Sequence, residues 1–132
     1  MREVLQFLKD NKTFFFATID EDQPRVRPFG AVTEFEGRLY FQTGKRKDVY
    51  RQMKENPRVE ISAVATDGSR WIRIQGSAVE DERREARTAV LDDNPELRNL
   101  YHEDDGNCVV FYLDDAIATF FSFTHPKYHV VF

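Results

Sequence analysis

The chain carries a single cysteine, Cys108, in 132 residues, so no intrachain disulfide can brace it, and one lone thiol suits a reducing compartment. It has no apolar run approaching the roughly 20 residues of a membrane-crossing helix, and its first residues lack the apolar core of a signal peptide. The expectation is a cytoplasmic protein with no membrane partner. A strong charge of either sign is also missing. With 19 basic and 23 acidic residues the net charge is −4, which argues against nucleic acid as a partner despite the basic segment 45–54. G-x-S-x-G, H-E-x-x-H and P-loop patterns are absent, so hydrolysis has no visible apparatus. No metal site is expected. His125 and His129 are four apart, but Pro126 prevents a regular helical presentation, His102 sits in an acidic loop, and no nearby cysteine completes a ligand set. The histidines read as surface residues, with a catalytic His125 near the final strands as the alternative. Cys108 opens an apolar strand and reads as a small buried residue rather than a nucleophile.

Phenylalanine is what the chain has in quantity. Twelve of them would fill the interior of a small barrel, and a surplus would cover a subunit interface. A composition of 41% hydrophobic and 32% charged residues fits one globular domain spanning residues 1–132.

Residues 2–10 place Val4, Leu5, Phe7 and Leu8 on one helical face. The run TFFFATI at 13–19 is too short for an independent helix and reads as a strand buried on both faces. Val26, Phe29 and Val32 suggest one extended strand, joined by the Glu36-Gly37 turn to a second strand through Leu39, Tyr40 and Phe41. Gln42-Thr43-Gly44 then delivers Lys45, Arg46 and Lys47 to a helix carrying Val49, Tyr50 and Met53, which Asn56-Pro57 stops. Residues 59–64 and 71–79 read as strands around a turn at 66–69. A charged helix lies between Asp81 and Asp93, and Asn94-Pro95 opens a shorter one. Strands at 108–113 and 116–123 flank a turn or bulge at Asp114-Asp115, and a last strand follows Pro126. The sum is α+β, with about six or seven antiparallel strands and flanking helices.

Within 23–47, side chains alternate across the strand, so Arg25 and Arg27 share a side. Together with Thr43 and Lys47 at a helix start they form a receptor suited to a phosphate dianion. Each alone reads better as a solvated strand or helix-start residue, and taken together they favour phosphate. Trp71 could flank a planar ring, or fill the core or a dimer seam. Arg73, on its face, reads as an ion-pair residue.

The segments ATID at 17–20, PRVRPFG at 24–30, the strand from Gly37 to Thr43, NPRVEI at 56–61 and WIRIQG at 71–76 follow one another as in the pyridoxamine phosphate oxidase-like family. The chain resembles this family over most of its length, and most of all its small subgroup related to nitroimidazole-resistance proteins. The resemblance implies an antiparallel split β-barrel that binds FMN at the interface of a homodimer and acts as an oxidoreductase on a small molecule. It places cofactor contacts on Arg25, Val26, Arg27, Pro28, Gln42, Thr43 and Lys47, partly through backbone groups of 25–29, and brings Trp71 to the flavin from the partner subunit. A non-catalytic carrier of flavin, or of haem in the same cleft, is the alternative. Two departures bear on substrate. The ending KYHVVF lacks the arginine–histidine motif of true pyridoxamine phosphate oxidases, and Gln42-Thr43 stands where nitroimidazole-resistance relatives have a histidine.

Overall fold

A computed structural model describes residues 1–132. Helix α1 (Arg2–Asn11) buries Val4, Phe7 and Leu8, the stripe expected from its spacing. Strands β1 (Phe14–Asp20) and β2 (Gln23–Phe29) form a hairpin, with Glu21 at φ 58° in its turn. Strands β3 (Thr33–Phe35) and β4 (Arg38–Gly44) form a second hairpin through Glu36 and Gly37. Those two turn residues have φ 51° and 74°, the paired positive values that match a hairpin turn to strand twist. Helix α2 (Asp48–Glu55), strands β5 (Arg58–Val64) and β6 (Arg70–Asp81), helix α3 (Arg84–Asp93) and a 3₁₀ turn (Pro95–Asn99) lead into β7 (Cys108–Ser122) and β8 (Tyr128–Val131).

All strand pairings are antiparallel, in the order β2-β1-β5-β6-β7-β4-β3, with β8 also on β7. One edge of β7 is shared out: residues 108–112 pair with β4 and residues 117–120 with β8. The other edge runs along β6 with one register shift near Gly76. That division of a single long strand is what splits the barrel. Inside, Phe16 stacks on Phe29 at 4.7 Å and meets Phe41 edge-on at 5.5 Å, while Phe14 meets Phe41 at 5.6 Å. These rings draw β1, β2 and β4 together, although β2 and β4 share no hydrogen bonds.

The structure corrects three expectations. The sheet has eight strands rather than six or seven, and the stretch from Val26 to Val32 is not one strand. It ends at Phe29, and β3 begins at Thr33 near the far end of the sheet. Segments 108–113 and 116–123 are one strand, with Asp115 at φ 55° marking a bulge rather than a turn. Strand β1 is not buried on both faces: Phe14 and Phe16 are buried, and Phe15 is 49% exposed on the outer face.

A candidate cofactor cleft

Strands β2 and β4, helix α2 and the segment after α3 enclose a cleft of about 950 Å³, within the range of about 300–1,000 Å³ usual for small-molecule sites. Arg25, Val26, Arg27, Pro28, Gln42, Thr43 and Lys47 all line it. The arginine strand and the Thr43-to-Lys47 loop therefore meet across the barrel, not as neighbouring strands. Trp71 does not line the cleft. It lies on the outer face, stacked on Phe121 at 5.3 Å and touching Phe123 at 5.2 Å. Arg73 is also outside, its guanidinium 4.7 Å from the Phe121 ring centre rather than in an ion pair.

The cationic groups differ in how far their charge is already met. Arg25 lies 3.7 Å from Asp20, which also pairs with Arg51 at 3.3 Å. Arg27 donates to the Phe16 carbonyl at 3.1 Å, to Thr18 Oγ1 at 2.8 Å and to Gln52 Oε1 at 2.7 Å. All three acceptors are neutral, so no carboxylate pairs directly with the guanidinium, although Asp48 lies near enough to act on it. The Arg27 pKa is lowered, mainly by desolvation, with Asp48 pulling the other way. Lys47 is exposed, caps the start of α2 in an extended conformation, and makes no ion pair within the chain. The first N–H groups of that helix lack intrahelical acceptors and add to the local positive potential. Asp48 and Glu96 also line the cleft and temper it.

Thr43 carries a further signal. Its Oγ1 is buried without any hydrogen-bond partner. A buried hydroxyl left unmet costs about 1–3 kcal/mol, so the cleft wall holds a polar group that the chain itself leaves without a partner. The opposite wall is apolar, with Leu97 and Leu100 beside Tyr101. The donor set and the apolar wall fit a molecule with an anionic tail and a flat ring, which is the shape of FMN.

The sequence pattern does not single out Gln52 in the cleft lining or Thr18, which supports it from behind. Gln52 is 3% exposed and Thr18 is buried. Each had a visible signal of burial: Gln52 shares the helical stripe of Val49 and Met53, and Thr18 continues the inward alternation of Phe14 and Phe16.

The other candidates sit elsewhere. His125 and His129 are exposed and face Thr124 and Thr119 at 2.9 and 3.0 Å, and His102 lies 3.4 Å from Glu103. Cys108 is buried, and burial pushes its thiol up to about 11, away from nucleophile behaviour. A second cleft of about 630 Å³ includes Tyr40, Asp81, Arg83 and Glu36. There the polar groups satisfy one another: the Tyr40 hydroxyl donates to Asp81 at 2.7 Å, and Arg83 bridges Asp81 at 2.9 Å and Glu36 at 2.8 Å.

A split barrel with this cleft defines a class, and comparison with known proteins agrees. The family model for pyridoxamine 5'-phosphate oxidase matches residues 1–106, and the chain belongs to that family. Within it, the chain falls in the subgroup related to nitroimidazole-resistance proteins. It is 42% identical to a NimC/NimA family protein from Clostridium acetobutylicum, with a TM-score of 0.97, covering 100% of this chain and 92% of that one. General Stress Protein 26 from Bacillus anthracis shares the fold at 17% identity and a TM-score of 0.75, covering 98% of this chain and 97% of that one. A heme binding protein from Mycobacterium smegmatis shares it at 15% identity and a TM-score of 0.72, covering 98% of this chain and 56% of that one. No curated protein matches the chain.

Proposed function

We propose that this chain is an FMN-binding oxidoreductase acting on a small molecule, working as a homodimer with the flavin held between two copies. The observation that carries the reading is the partnerless Thr43 hydroxyl, buried in a cleft that also presents Arg27 and Lys47, neither of which has a carboxylate at ion-pair distance. Flavin binding is typical of the family. FMN, when bound, supplies the hydride or electron chemistry, and the protein supplies binding, orientation and electrostatics. Arg27 and Lys47 neutralise the phosphate, Thr43 and the exposed N–H groups at the start of α2 offer hydrogen bonds, and Leu97 and Leu100 keep water from the ring. No separate acid or base is needed for the redox step itself.

The homodimer rests on the outer face of the sheet. Phe15, Val26, Val64, Phe123 and Val131 are exposed there around the Trp71–Phe121 stack, and Phe123 is 80% exposed. Strand register sets Val64, Trp71 and Phe121 in one row, and the next row runs from Phe15 through Ser62 and Arg73 to Thr119, so apolar and polar side chains share the face. Exposed apolar side chains gathered on one face, with polar ones among them, suit an interface between copies. Val26 also lines the cleft, so a copy docked on this face would close it and bring its own aromatic residues to the rim. Haem fits less well, because the cleft lining offers an iron only Tyr101 or Lys47 as a ligand.

The visible spectrum of the purified protein, with mass analysis of the released ligand, tests the reading. FMN bands and mass are expected, followed by reduction with NAD(P)H and turnover with nitroaromatic or quinone acceptors. A colourless protein that takes up no added FMN overturns it. Bound flavin that no physiological donor reduces leaves a carrier instead of an enzyme.

A further inference from the structure

The α2 wall of the cleft holds one buried side chain whose hydrogen-bonding capacity is only half used. Gln52 Oε1 accepts from Thr18 Oγ1 at 2.5 Å and from Arg27 Nη2 at 2.7 Å. Thr18 Oγ1 in turn accepts from Arg27 Nη1 at 2.8 Å, which closes a three-residue ring. Two donors converge on one end of the amide, and only its oxygen can receive them, so the orientation of the amide is determined. The Nε2 end is thereby turned away from the ring. It donates to no acceptor in the chain, and Gln52, at 3% exposed, lines the cleft.

We propose that Gln52 Nε2 is a direct ligand donor to a phosphoryl oxygen of the bound cofactor, with Thr18 and Arg27 acting as positioning residues that hold the amide in the required orientation. The proposal rests on the FMN reading above and adds a contact which that reading did not include. The class of acceptor follows from the surroundings. Arg27 has only neutral acceptors and lies next to the amide, and Lys47 caps the same helix without an ion-pair partner. Arg27 and Lys47 draw an anionic oxygen to the amide, against the opposing charge of Asp48 one turn earlier on the same helix. Thr43 faces the same cleft from β4, so donors reach the ligand from two walls. Arg27 itself sends its hydrogen bonds inward. It contributes charge to the ligand and geometry to Gln52.

Fluorescence titration of FMN and of riboflavin, which lacks the phosphate, against the wild type, Gln52→Glu and Gln52→Met tests the proposal. Glutamate keeps an oxygen for Arg27 and Thr18, so the fold is expected to melt at or above the wild-type temperature. It removes the donor and adds a like charge. FMN affinity is therefore expected to fall by tenfold or more, with riboflavin affinity unchanged. Gln52→Met loses both ends of the amide, and a roughly tenfold or larger loss specific to FMN is expected there too, alongside a lower melting temperature. Unchanged FMN affinity in both variants overturns the proposal. Equal losses for FMN and riboflavin overturn it as well, since they would place the amide on the ring. A wild type that binds neither ligand overturns the flavin reading itself, and is told apart from the other outcomes by that control.

Discussion

Thr43 and Lys47 occupy the same cleft but differ in what they do without a ligand. The Thr43 hydroxyl is buried and unmet, so its removal by an isosteric change should not harm the empty protein. Thr43→Val is expected to melt at the wild-type temperature or slightly higher when empty, and to bind FMN several-fold more weakly. Lys47 is exposed and unpaired, so Lys47→Ala should leave the melting temperature unchanged and purify with less flavin. Its FMN affinity is expected to fall roughly tenfold, the size of one charge-assisted contact. Calorimetry of the empty forms and titration of the same samples check both. Full flavin occupancy in Lys47→Ala would take phosphate binding away from that side chain.

Among the elements, a clasp of Tyr40, Asp81, Arg83 and Glu36 ties β4 and the end of β6 to the β3–β4 turn. Arg83 holds the Asp81 carboxyl down to about 2 against the cost of burial, with help from the Tyr40 hydroxyl. Burial first, and then Asp81, push Tyr40 up to about 12. The folded Asp81 value lies below its ordinary 3.8, so its stabilisation is present above that pH and is lost as pH falls through about 2. Asp81→Asn is expected to cost about 1–3 kcal/mol near neutrality and to flatten the acid limb of the stability profile, as read from thermal melts over a pH series. The same parallel loss at every pH in wild type and variant would separate Asp81 from acid unfolding.

For the whole molecule, the proposed dimer makes the outer face part of the cleft. Phe15 contributes to that face and nothing to the core, so Phe15→Glu should fold normally while opposing association. The variant is expected to sediment as a monomer with little bound FMN, against a flavin-loaded dimer for the wild type. A monomeric variant that retains its flavin would move the ligand away from the interface. The relation of cleft to face also explains Trp71. It stands apart from the cleft of its own chain, and the proposed dimer is the arrangement that would bring it to the rim.

Much of the fold could be read in advance because it depends on local periodicity. The stripe of α1, the β3–β4 turn at Glu36-Gly37, the stop at Asn56-Pro57 and the alternation of β6 all follow from residues within a few positions of each other. The apolar run of β1 was misjudged for the same reason. Pattern alone does not say whether a second apolar face meets a core or lies outside one, and Phe15 lies outside. The site was legible as a set of residue types, with Arg25, Arg27, Thr43 and Lys47 converging on one cleft.

By itself the sequence determined the class of fold, the basic and hydroxyl groups available, and the family to which the chain belongs. Tertiary structure decided which of those groups remain free. Whether Arg27 has a charged or a neutral partner, whether Thr43 finds any partner, and which end of Gln52 faces the cleft depend on residues distant in the chain. Barrel closure by Phe16, Phe29 and Phe41 brings them within hydrogen-bonding reach, and no local pattern encodes that closure.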